Sequence, residues 1–94
     1  MFKPLDPLLH SELRLAVMSV LTMVDEADFV YIKEKTGGTA GNLSVQISKL
    51  EKAGYIEVTK GFEGKRPHTV CRITDKGQEA FAAYYNALKS YFGQ

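Results

Sequence analysis

Ninety-four residues suffice for one hydrophobic core and not for two, so residues 1–94 are expected to form a single domain, with a core small enough to favour oligomerisation. An apolar content of 45% without low-complexity runs excludes a disordered chain, and no apolar stretch reaches bilayer-spanning length. The net charge of +1 conceals an asymmetry: residues 33–76 hold nine Lys or Arg against five acids, the flanks three against six, so an anionic partner is expected at the middle of the chain.

The first seven residues lack a basic region leading into an apolar one and do not read as a signal peptide. Cys71 is the only cysteine, which rules out an internal disulfide or thiolate cluster and agrees with a reducing, cytoplasmic location. Pro4 and Pro7 hold the start extended. Leu9, Leu13, Ala16, Val17, Val20, Leu21 and Val24 then recur at steps of three and four, predicting a first helix capped by Ser11 or by Asp6. Asp28 is a cap for a short second helix over 29–35, with Phe29, Ile32 and Val30 inward and Thr36-Gly37-Gly38 closing it. The acids Asp25, Glu26 and Asp28 are read as favouring the helix dipole and not as a metal site.

Thr39 caps a third helix, 39–53, that Gly54 stops. The period then changes to two over residues 55–60, residues 61–67 read as a turn, and 68–73 return as the partner strand, with Cys71 a small buried hydrophobe. Thr74 caps a last helix from Asp75 to about Phe92. The class expected is α+β, mainly helical: a three-helix core, a two-stranded hairpin and a long C-terminal helix, without internal repeats.

Two short helices joined by a glycine turn make a helix–turn–helix unit. Leu43, Ile47 and Leu50 form the inward stripe of the third helix, leaving Gly41, Val45, Ser48, Lys49 and Lys52 opposite and Asn42 and Ser44 on the flanks. A face of little bulk, with hydrogen-bonding side chains and a free N-terminal end, suits the DNA major groove. Asn42 and Gln46 have base-reading chemistry, although Gln46 sits near the core edge and could bond backbone instead. Ser44 and Ser48 suit phosphates or base edges, and Val45 either touches a thymine methyl or packs on a neighbouring element. Lys60, Lys65, Arg66 and His68 gather at the hairpin tip, able to reach the adjacent minor groove or backbone. The candidate DNA-binding set is Thr39, Gly41, Asn42, Ser44, Val45, Gln46, Ser48, Lys49, Lys60, Lys65 and Arg66, with the helix in the major groove and the hairpin 60–68 beside it.

The stretch Gly41-Asn42-Leu43-Ser44 through Leu50-Glu51-Lys52-Ala53-Gly54-Tyr55-Ile56 resembles the recognition helix and following strand of MarR/ArsR-type winged-helix transcriptional regulators. The segment 60–67 and then Arg72-Ile73-Thr74-Asp75-Lys76-Gly77 are similar to their wing and the start of their last helix, so the likeness covers about residues 8–92. It implies a winged helix–turn–helix fold, binding to double-stranded DNA, and a two-fold homodimer through the first and last helices. Surplus aromatics on the last helix agree, and the expected dimer residues are Leu9, Leu13, Tyr84, Tyr85, Leu88, Tyr91 and Phe92. Many relatives carry a basic residue at the position of Val45 and a histidine near Gln46, so their base preferences do not transfer.

No cofactor or metal is expected, since His10 and His68 alone do not make a site, and little sequence remains to build an effector pocket. An enzyme is not expected, because no nucleophile–base pair or nucleotide loop is present. The remaining alternative is a winged-helix module that binds protein, disfavoured by Lys49, Lys52, Lys65 and Arg66 where acidic or apolar residues would be expected.

Overall fold

All four α-helices begin on a side chain that accepts from an otherwise unpaired backbone N–H: Ser11 from Arg14, Asp28 from Tyr31, Thr39 from Asn42 and Thr74 from Gly77. In the computed structural model, which describes residues 1–93, they open α1 (Glu12–Thr22), α2 (Phe29–Thr36), α3 (Ala40–Lys52) and α4 (Asp75–Lys89). A 3₁₀ turn, Ser90–Phe92, continues the last. Asp6 serves separately: its Oδ1 accepts from the Leu8 N–H at 2.9 Å and its carbonyl from Leu9 and His10, forming a turn ahead of α1.

Three strands, β1 (Ala27–Asp28), β2 (Ile56–Glu63) and β3 (Arg66–Ile73), form an antiparallel sheet in the order β1-β3-β2. The hairpin differs from the expected loop over 61–67. Its ladder runs on through Gly61↔His68, Phe62↔Pro67 and Glu63↔Arg66, leaving a two-residue turn at Gly64-Lys65. Gly64 takes φ 64°, the left-handed conformation that tight hairpin turns demand. Pro67 is tolerated inside β3 because β1 extends no further along it than Val70, so the strand has an open side there. The third strand, β1, is too short for any alternating pattern to reveal.

Val17, Met18 and Leu21 of α1, Ile32 of α2, Leu43, Ile47 and Leu50 of α3, Ile56 of β2 and Cys71 of β3 make one core. Val30, expected inward, is 63% exposed, because Phe29 and Ile32, three positions apart, take the inward face of this two-turn helix and Val30 falls off it. Two residues expected between copies belong to this core instead. Leu9 is fully buried, drawn in by the turn that Asp6 caps. Tyr84 is buried on the domain's own side of α4, where its hydroxyl meets His10 Nδ1 at 3.0 Å. His10, for which the sequence suggested no partner, therefore ties the start of the chain to α4. The arrangement is a winged helix–turn–helix.

Thr74 joins the last helix to the end of the third: its N–H donates to the Tyr55 carbonyl at 3.0 Å and its hydroxyl to the Gly54 carbonyl at 2.6 Å. The first turn of α4 lies so close to that carbonyl that a Cβ at Gly77 would sit 2.1 Å from the Tyr55 oxygen and 2.9 Å from Ile73 Cγ1. At Gly41, within α3, a Cβ would meet nothing within 4 Å. Gly77→Ala is therefore expected to lower stability by about 2 kcal/mol or more through steric strain, whereas Gly41→Ala should raise it by about 0.5–1 kcal/mol through helix propensity. Urea unfolding of the two variants checks both signs.

Candidate nucleic-acid interface

The inward stripe of α3 dictates what remains outside. Thr39, Gly41, Asn42, Ser44, Lys49 and Lys52 are exposed, Val45 is 51% exposed, and Ser48 and Gln46 are half-buried. Val45 thus faces solvent with about half of its surface. Thr39 spends its hydroxyl on the Asn42 N–H at 3.2 Å, holding the first turn of the helix. Gln46 bonds two side chains and not the backbone. Its Oε1 accepts from Arg14 of α1, and its Nε2 donates to Asn42 Oδ1 at 2.9 Å.

Strand alternation sorts the hairpin into two faces. On the side of α3, Lys60 and Thr69 line a cleft of about 480 Å³ with Ser44, Ser48 and Glu51. Register sets Phe62, 76% exposed, and Pro67 on the same face nearer the tip. Arg66 opposite Glu63, and His68 beyond them, belong to the other face, with exposed Lys65 in the turn between. His68 does not join a basic cluster. Its Nε2 lies 3.3 Å from Asp28 Oδ2 and 3.5 Å from Glu63 Oε2. Arg14 and Phe62 were missed from sequence. Phe62 shares the parity of Ile56 and Val58 but lies between Gly61 and Gly64, where the composition is that of a turn; the link of Arg14 to Gln46 crosses 32 positions and leaves no local pattern.

Two groups titrate unusually near this surface. The Asp28 carboxyl is held below its ordinary 3.8, chiefly by the bond from the Tyr31 N–H; burial opposes this, and His68 adds to it. Burial, then the charge of Glu51, pushes the Cys71 thiol up to about 11. Among the described residues no three His, Cys, Asp or Glu side chains converge as metal ligands.

The sequence matches the family described as winged helix DNA-binding domain over residues 13–92. An uncharacterized protein of Methanocaldococcus jannaschii is 36% identical over 75 residues, 80% of this chain and 82% of that protein. A transcriptional regulator homologue from Pyrococcus horikoshii OT3 has a similar solved structure, with a TM-score of 0.82 at 32% identity, covering 92% of this chain and 85% of that one. A MarR-family transcriptional regulator from Silicibacter pomeroyi shares the fold at 14% identity, with a TM-score of 0.70 over 88% of this chain and 55% of its own.

Asp28→Ala removes the cap of α2 and is expected to cost about 1 kcal/mol at pH 7. A carboxylate with a depressed folded pKa stabilises above its unfolded value and loses that contribution as pH falls through the folded one. The gap between variant and wild type should therefore narrow below pH ~4, read by denaturation across a pH series. Cys71 is expected to resist maleimide at pH 7 in the native protein and to react once urea unfolds it, which mass spectrometry would report.

Proposed function

The chain belongs to the winged-helix DNA-binding domain family, and on that basis we propose that it is a transcriptional regulator that binds double-stranded DNA as a homodimer. The main support is that α3 and the hairpin expose small, polar and basic side chains on one side: Gly41, Asn42, Ser44, Val45, Ser48 and Lys49 from the helix and Lys60 from the strand beside it. In this reading α3 enters the major groove, its N-terminal N–H groups meet a phosphate, and Lys65 and Arg66 reach the adjacent minor groove or backbone. A cytoplasmic location follows from that role.

The dimer surface is revised from the sequence expectation to the residues left uncovered. Tyr85 is 60% exposed, Tyr91 46% and Phe92 70%. The ring of Phe2 stacks on Tyr91 at 4.7 Å and 20°, extending the patch onto the N-terminal segment. Leu13 and Leu88 flank the core half-buried. To enter successive major grooves of a near-palindromic site, the two α3 helices of such a dimer would have to lie about 34 Å apart. The exposed Val45 and Phe62 favour one other reading, a winged helix that docks on protein.

Binding to random-sequence duplex DNA across a salt series separates the two, with mass measured in parallel. A DNA-binding dimer should lose affinity steeply with salt, and the slope should shrink in Lys65→Ala/Arg66→Ala by about 0.9 for each phosphate contact removed. A dimer that binds no duplex even at low salt would reject the DNA reading.

A further inference from the structure

Arg14 belongs to α1, which supplies none of the exposed α3 or hairpin side chains, yet its guanidinium reaches α3. Nε donates to the Leu8 carbonyl at 2.5 Å, and Nη1 donates to Gln46 Oε1. Gln46 Nε2 in turn donates to Asn42 Oδ1 at 2.9 Å. The direction of this chain is not arbitrary. A guanidinium has donors only, so the Gln46 amide must turn its oxygen towards Arg14 and its nitrogen towards Asn42. Asn42 must then turn its own oxygen to Gln46. On a solvated helix an asparagine amide is free to flip; here the flip is decided two residues away, by a side chain from another helix. The exposed end of the chain is the Asn42 amide nitrogen with its N–H donors.

We infer that Arg14 is a positioning residue for recognition: acting through Gln46, it holds the Asn42 amide nitrogen outward, so that position 42 takes a hydrogen-bond acceptor of the duplex, either a phosphate oxygen or an acceptor atom on a major-groove base edge. The inference rests on the DNA-binding reading above. It also changes the part given to Gln46, which relays orientation and does not itself read a base.

The side-chain amide resonances of Asn42 in ¹⁵N–¹H correlation spectra of the free protein test the orientation without DNA. Arg14→Met is expected to move them, although Arg14 donates to Gln46 and not to Asn42, and Arg14→Lys, which retains a donor, to bring them part of the way back. Because Arg14→Met also abandons the Leu8 carbonyl and could unfold the chain, Gln46→Met offers a second break in the relay with the Arg14–Leu8 bond intact. Affinity for random-sequence duplex and for the best duplex from a selection tests the consequence. Arg14→Met and Asn42→Ala should each weaken binding to the selected duplex about three- to tenfold, and the double variant should be no weaker than Asn42→Ala alone. If the acceptor is a phosphate, Asn42→Ala should lower both affinities about equally; if it is a base edge, the variant should narrow the preference between the duplexes. Asn42 resonances that move in Gln46→Met but stay in place in folded Arg14→Met, or losses that add in the double variant, would overturn the role of Arg14 while leaving DNA binding standing. A wild-type chain that binds neither duplex overturns the DNA reading and the assigned acceptor together.

Discussion

Leu43 and Leu50 have no exposed surface and Ile47 has 5%, and the three share one core with Val17, Met18 and Leu21 of α1 and Ile56 of β2. Burying these side chains fixes the rotation of α3 about its axis. At about 100° per residue, no other rotation hides all three, and this one turns Gly41, Val45, Lys49 and Lys52 to solvent. The hairpin inherits its position from the same contact, since Ile56 and Cys71 enter the core at its base. The surface proposed for nucleic acid is thus produced by packing behind it. Substituting any of the three inward residues would disturb the outward ones without touching them.

The faces of the hairpin carry opposite chemistry. On the side away from α3, cations have acidic neighbours: Arg72 lies 3.6 Å from Glu26 and opposite Glu57, Arg66 stands opposite Glu63 in the ladder, and His68 lies between Asp28 and Glu63. On the side of α3, Lys60 faces Thr69 across the ladder and Ser44 and Ser48 across the cleft, with Glu51 the acid that shares that space. A chain of net charge +1 can in this way present unmatched lysines locally, because acids are concentrated where they pair. Exposed ion pairs of this kind add little to stability, so their effect is chiefly on where positive potential is left over.

How much of this could be read beforehand depended on how local the determining interactions are. Three helix caps were legible outright, and the first as Ser11 or Asp6, because a cap is a contact between residues three positions apart. The inward stripe of α3 was legible from its period. What failed was non-local or too brief to have a period. β1 is two residues long and exists only because β3 passes beside it. Leu9 and Tyr84 have the composition of interface residues, and only the turn at Asp6 and the bond from His10 decide that they are core. The hairpin was cut short because Gly61 and Pro67 read as turn residues, whereas Gly64 alone supplies the positive φ within it. The Arg14–Gln46–Asn42 chain lay beyond sequence reasoning for the same cause, joining two helices through side chains.

β1 pairs with β3 only at Ala27↔Cys71 and Asp28↔Val70, so the sheet has three strands at its root and two from there to Gly64. Mechanically the hairpin is a beam built in at one end. Its root is held by a third strand and by core side chains, while its outer half has only its own ladder, and an isolated two-stranded ribbon is marginally ordered in water. Such a beam is displaced most at its free end, so Lys65 and Arg66 are expected to sweep a wider arc than Lys60. In the DNA-binding reading proposed above, the tip would meet grooves of differing width without any adjustment of α3, and the entropy lost on contact would be confined to the few residues beyond the root.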